Sequence, residues 1–292
     1  MGVDIFVIIT GYFLGGKVLS IKKSLERIWT VWSQSIFYSI LLFVLYTIFN
    51  HKINKDYIIK AIKSIFPFIT NGPYWFVTAF IMLMCLAPFI TLMLKDLSRN
   101  HFLYLICLVT IFSSILPEIP KLRNLMFANG NGLAIILAPF LIGYYIRVFN
   151  PKIRYKRTIL IVFILMFWGY QVAQFYFMGS LVESQGILPL VPACMIFLIF
   201  LEKKKFYNEK INNVDRTSFS VYLLTSNVLV TVPLYKYLEF TNINNMVIVN
   251  LIGVLVSVLM LIISYFVDSI RLVIFRQCRI EKLIDLPFFR KS

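Results

Sequence analysis

Tyr74-Trp-Phe-Val-Thr-Ala-Phe-Ile-Met-Leu-Met-Cys-Leu-Ala-Pro-Phe-Ile-Thr-Leu-Met-Leu94 contains no charged side chain. At 1.5 Å rise per residue, about 20 apolar residues cross a hydrocarbon core of ~30 Å, so this run is long enough to span a bilayer. It is continuously apolar and does not alternate with period two, which selects a helix over a strand of a membrane barrel. Working outward, the same reading predicts spans at 3–21, 29–49, 102–117, 131–149, 158–178, 187–201, 217–237 and 246–270. The runs at 102–117 and 187–201 are short, which predicts a kink or a locally thin bilayer there. With 60% apolar and only 14% charged residues, the chain lies well outside soluble-domain usage. The predicted fold is all-α, a polytopic membrane helical bundle of about nine transmembrane helices.

A net charge of +16 would suggest nucleic acid in a soluble protein. Here it sets topology, and no nucleic-acid partner is expected. With Lys17, Arg147 and Lys236, at the ends of their runs, counted with the loops they adjoin, Lys and Arg on the side of the odd loops and the tail number 22, against 7 on the side of the even ones. The positive-inside tendency therefore places the odd loops and the C-terminus in the cytoplasm and the N-terminus outside. Only Met1 and Gly2 precede the first run, without a basic flank. One further helix ahead of Met1 would return the start to the cytoplasm, and such a helix is the expectation.

No Gly/Ser or Pro-rich linker divides the chain, which predicts one membrane domain over 1–270 and a basic cytoplasmic tail over 271–292. That tail mixes six basic residues with Leu, Ile and Phe, which suits an anionic leaflet. Between the second and third runs, Tyr57–Phe66 carries apolar residues and two lysines at helical spacing, which predicts an amphipathic helix on the outer interface.

Polar groups inside a bilayer are costly, so each is a candidate for function. Asp4 is the sharpest, a carboxylate opening an apolar run. Lys22, Lys23 and Arg27 follow the first run at the cytoplasmic face. They read either as a topology signal or as a phosphate site, Arg27 supplying a planar bidentate fork and the lysines point charge. Asn71-Gly-Pro-Tyr74-Trp75 opens the third span. Its two rings read as an interfacial belt or as a stacking wall for a sugar. Gln171 and Gln174 lie three apart on one helix, with Glu183 and Gln185 in the following loop, and interhelical hydrogen bonding is the simpler account. The polar side of Thr217–Asn227 could line a cavity or join helices. His51 and His101 fall on opposite faces by the charge count and cannot share a site. No metal site is expected: Cys85, Cys107, Cys194 and Cys278 show no paired spacing, and no P-loop, G-x-S-x-G or H-E-x-x-H occurs.

Gly2-Val-Asp-Ile-Phe-Val-Ile-Ile-Thr-Gly-Tyr-Phe13 resembles the G-V-D-[LI]-F-F-[VM]-[IL]-S-G-[FY]-[FL] signature of the acyltransferase 3 family, with Val7 and Thr10 as departures. Lys22–Ile28 resembles that family's basic segment ending in Arg-Ile, and Tyr74-Trp-Phe…Ala-Pro88 its W-F…P span. Ser218–Thr225 resembles its S-[FY]-x-[IV]-Y-L-[IL]-H element. Together these cover nearly the whole chain.

The resemblance implies a ten-helix fold with both ends cytoplasmic. It implies transfer of an acyl group, commonly acetyl, from acyl-CoA to a carbohydrate hydroxyl across the bacterial cytoplasmic membrane, with acyl-CoA as co-substrate and no bound cofactor. The expected partners are acyl-CoA, the bilayer, and a surface glycan or its lipid-linked precursor. Arg27 carries over as a donor contact and Asp4 as a supporting neighbour of the first helix; read from the residues themselves, Lys22 and Lys23 join the donor side and Tyr74 and Trp75 are the acceptor candidates. The family's histidine on that helix has no counterpart here, and Thr225 stands in place of its later histidine. The catalytic base is therefore unassigned, and the expectation is an N-terminally truncated or inactive copy, or half of a split protein. The competing functions are a transporter or exporter of a lipid-linked glycan, prompted only by Pro88, Pro139, Pro189 and Pro192, and a polymerase component, which usually needs a larger outer loop.

Overall fold

A computed structural model describes residues 1–50, 55–66, 74–116, 132–178, 186–204, 217–227 and 246–278, with a few isolated positions besides. Among the described residues every regular element is a helix. They are α1 (Gly2–Leu14), α2 (Ile21–Asn50), α3 (Lys55–Ile65), α4 (Trp75–Lys95), α5 (Arg99–Thr110), α6 (Leu133–Phe149), α7 (Lys156–Met178), α8 (Ile187–Leu201), α9 (Ser218–Thr225) and α10 (Met246–Gln277). A π-turn over Ile111–Ile115 extends α5. Four helices are long and apolar enough to cross a bilayer, and α1, α5 with its extension, α6 and α8 are shorter apolar ones. The chain is an all-α, multi-pass membrane protein. His51, Asn71–Pro73, Glu183, Gln185, the side chain of Gln174 and the tail beyond Ile280 lie outside the described residues.

Helix ends differ from the hydropathy reading where local chemistry intervenes. The first helix stops at Leu14 and not at 21, because Gly15 leaves the helical region with a ψ of 131° and Gly16 follows with a φ of +73°, a conformation that glycine adopts without strain. The second begins at Ile21 and not at 29, because the Ser20 hydroxyl accepts the Lys23 amide at 3.4 Å and caps the first turn. The last helix runs on to Gln277, past the predicted 270. In the predicted eighth span, only the eight residues of α9 form a described helix.

Two compact units make up the chain, one of Met1–Ser24 with Ala79–Lys205, the other of Leu25–Thr78 with Phe206–Ser292. In the first, α1 packs closely on α6 at two glycines. A Cβ on Gly11 would collide with the Phe140 carbonyl oxygen, and one on Gly143 with that of Ile8. Small residues that let backbones touch are the usual means of helix association in lipid, where apolar burial offers no net drive. Around this contact Ile8, Ile146, Ala193, Met195, Phe197 and Leu198 form the core. Phe102 of α5 stacks on Tyr144 of α6 with ring centroids 5.7 Å apart.

Pro88 shapes the same unit. A proline inside a helix withdraws the amide that would bond the carbonyl four residues back, here that of Met84. The Ser24 hydroxyl donates to that carbonyl, and the Leu19 amide donates to the Thr91 hydroxyl at 3.0 Å. The break in α4 thereby anchors the connection from α1 and the first turn of α2.

In the second unit α9 packs along α10. The Trp32 indole donates to the Ile65 carbonyl at 3.0 Å, tying α2 to α3. The third helix lies where the amphipathic helix was predicted, with Ile58, Ile59 and Ile62 exposed for lipid and Ala61 and Ser64 buried.

Candidate functional site

Within the second unit, three helices bring a charged and hydroxylated cluster into a buried position. Asp268 of α10 is wholly buried, and Arg271, one turn on, is 4% exposed. The Arg271 Nε donates to Asp268 Oδ1 at 2.6 Å and its Nη2 to Oδ2 at 3.0 Å, a bidentate pair. Ser220 of α9 donates to the same Oδ1 at 2.7 Å, and Tyr38 of α2 at 3.3 Å. Beyond the pair, the Arg271 guanidinium lies 4.9 Å from the centroid of Phe275, whose ring meets Phe37 edge-on. Ser264, one turn before Asp268, is buried with no hydrogen-bond partner for its hydroxyl among the described residues.

A second set surrounds Tyr74. Its hydroxyl donates to the Leu223 carbonyl at 3.0 Å and accepts from Asn227 Nδ2 at 2.9 Å. The Tyr222 hydroxyl accepts the Phe76 amide at 3.2 Å, relieving one donor at the start of α4. The polar side of Thr217–Asn227 thus joins helices through Ser220, Tyr222 and Asn227. Thr225 differs, since its hydroxyl returns to its own helix, to the Val221 carbonyl at 2.8 Å.

These geometries limit the chemistry. Asp268 Oδ1 receives three donors and Oδ2 one, so the carboxylate is committed to hydrogen bonds within the protein. Its arrangement holds three helices in register and is charge-neutral overall. Sequence reading missed it because Arg271 looks like the first residue of a basic tail. The available signal was the spacing, an Asp and an Arg three apart at the end of an apolar helix, which places them on one face.

The residues predicted from sequence are distributed as follows. Asp4 sits in the first turn of α1, buried, with its Oδ2 3.0 Å from the terminal ammonium of Met1. Lys22, Lys23 and Arg27 lie on the first turns of α2, Lys23 exposed and Lys22 and Arg27 partly buried. Arg27 makes no hydrogen bond or ion pair with any described residue. Ser24, which donates to Met84, is three residues before it on the same helix. Tyr74 is fully buried, whereas Trp75 is partly exposed. His101 is bonded through Nδ1 to the Ser98 hydroxyl at 2.8 Å, at the start of α5. Among the described residues no group of His, Cys, Asp and Glu is placed to hold a metal ion.

The glycine-ended opening stretch is occupied with packing. Thr10 bonds back to the Phe6 carbonyl at 2.9 Å, Gly11 meets α6, and the Tyr12 hydroxyl accepts from Arg147 at 3.2 Å. Comparison with known proteins gave one result. A family model described as an acyltransferase domain, of the acyltransferase 3 type, matches residues 1–268. No curated protein and no solved structure matches the chain.

Proposed function

The chain belongs to the acyltransferase 3 family, and on that premise we propose that it moves an acyl group, commonly acetyl, from acyl-CoA to a hydroxyl of a surface or exopolysaccharide glycan or its lipid-linked precursor, in a bacterial cytoplasmic membrane. The observation that carries the donor side is Arg27. It is partly buried and has no partner among the described residues, so its fork is free to take phosphate oxygens. Lys23, four residues earlier, and the adjacent Lys22 add positive charge to that segment. On the acceptor side Trp75 offers the stacking plane. Tyr74, held by Leu223 and Asn227, acts by fixing the start of α4. Asp4 has a supporting role, and the general base is left unassigned, Thr225 being bonded to its own helix.

Deletion of the gene should lower the O-acyl content of the surface glycan while the amount of polymer stays constant, measured by NMR of the purified glycan. Complementation with Arg27→Ala should restore roughly a tenth or less of the wild-type content at equal membrane level, since a charge-assisted bidentate contact is lost. Full acylation in that variant removes Arg27 from the donor site. Unchanged acylation with lost polymer export would point to an exporter.

A further inference from the structure

The first unit contains a cleft that plays no part in the proposed donor segment. Its volume is about 410 Å³, and its lining includes Arg154, Lys156, Arg157, Thr158, Glu202 and Lys203. Four basic residues thus face one carboxylate. Lys156 forms an ion pair with Glu202, its side chain only 11% exposed. That pair is internally neutral, so Arg154, Arg157 and Lys203 are the charges left to the cleft. Arg154 lies 5.5 Å from the Tyr155 ring centroid and Lys203 4.9 Å from that of Phe200. Arg157 has no partner among the described residues.

Backbone geometry adds to this. The amide of Ile159 bonds the Tyr155 carbonyl at 3.0 Å, so the amides of Lys156, Arg157 and Thr158 precede any helical acceptor. They open the 23-residue helix α7, whose N-terminal end carries partial positive charge. The segment that supplies the lining is held in place, because Ile153, Ile159 and Leu160, which flank it in the chain, pack on the core of the unit. Beside the cleft, Ile161, Val162 and Phe200 expose 46–58% of their surface, an apolar flank suited to acyl chains.

We propose that this cleft binds a phosphate-bearing anion, with Arg157 and Lys203 as its principal cationic contacts and the first-turn amides of α7 and the Thr158 hydroxyl as neutral donors. The chemistry is that of a phosphate ester, which an anionic phospholipid head group or a soluble nucleotide phosphate can each supply. The exposed apolar flank favours the phospholipid. The charge bias of the loops places the cleft on the cytoplasmic side, where anionic head groups and nucleotides are both present. The site goes beyond the proposed acyl transfer and stands without it, because it is read by binding alone.

The test uses the full chain purified in detergent. Native mass spectrometry counts retained phosphatidylglycerol against phosphatidylcholine, and equilibrium dialysis measures adenosine 3′,5′-bisphosphate. Three proteins are compared: wild type, Arg157→Ala with Lys203→Ala, and Lys152→Ala, an exposed basic residue outside the cleft. Phosphatidylglycerol retention should fall roughly thirtyfold in the double variant and stay unchanged in Lys152→Ala. The same pattern with the nucleotide, and not the lipid, supports the site and assigns the other source. Equal behaviour of the double variant and Lys152→Ala toward both ligands, or no retention of either by wild type, overturns the proposal. Should the double variant fail to fold, Arg157→Gln alone, at an exposed position, carries the same comparison.

Discussion

The Ser24 hydroxyl donates to the Met84 carbonyl, the one that Pro88 leaves without a helical amide. A sequence motif ending in Pro and a basic segment some sixty residues earlier are therefore one structural device. The helix break supplies an acceptor, and the helix start supplies the donor that satisfies it. The bond holds the first turn of α2, which carries Lys22 and Lys23.

Ser24→Ala should lower stability by about 1–3 kcal/mol, the cost of an unsatisfied buried carbonyl. Pro88→Ala in the same protein returns an amide to Met84, so the double variant should lose less than Ser24→Ala alone. Thermal unfolding in detergent of the two single variants and the double gives the coupling. Strict additivity would mean that Ser24 and Pro88 do not share the Met84 acceptor.

Gly11→Ala and Gly143→Ala should each destabilise the first unit, since the added methyl meets a backbone oxygen of the facing helix and neither backbone can yield. The expected loss is about 1–3 kcal/mol each, the range for overpacking. Gly169 and Gly253 are the controls. Each lies within a helix with nothing near its missing Cβ. Alanine at either should be neutral or stabilising by up to about 1 kcal/mol, seen as an unchanged or higher melting temperature.

Asp268→Ala should destabilise by about 3–5 kcal/mol, because it leaves the Arg271 charge buried and unpaired and strips Tyr38 and Ser220 of their acceptor. Adding Arg271→Met should recover part of that loss. The readout is a double-mutant cycle from denaturant unfolding in mixed micelles. If the second substitution only deepens the loss, the two charges do not compensate each other.

Tyr74→Phe removes one donor to the Leu223 carbonyl and one acceptor from Asn227. Loss of about 1–3 kcal/mol is expected. Trp75→Ala should leave stability nearly unchanged and lower acceptor affinity, seen as a raised apparent KM for the glycan at constant kcat. A lowered melting temperature for Trp75→Ala with no change in KM would remove it from the acceptor side.

How much of this was readable beforehand depends on which force set each feature. Runs of apolar residues mark helices because the bilayer demands internal backbone pairing, so the segments around α4, α6, α7 and α8 were legible. Ends were less so. The Gly15-Gly16 pair ends α1 and Ser20 starts α2, both local signals that a hydropathy window averages away. Arg271 was harder still. A window scores it as a charge outside lipid, yet its burial depends on Asp268, and on Ser220 and Tyr38 far away in the chain. The close contact at Gly11 and Gly143 was likewise invisible, because a glycine alone does not say which helix it will meet.

The spacing of Asp268 and Arg271 has a bearing on biogenesis. Both groups belong to one helix, so they can meet as soon as its last turns form, before α2 or α9 arrives. Of the residues in the most apolar stretch of that helix, only 11% are buried. Leaving the translocation machinery, it would carry Asp268 and Arg271 into lipid as a pair of zero net charge, with Arg276 following in the last turn, avoiding the heavy penalty that attends a lone intramembrane ion. The hydroxyls of Tyr38 and Ser220 then act as a latch that closes on an already inserted segment.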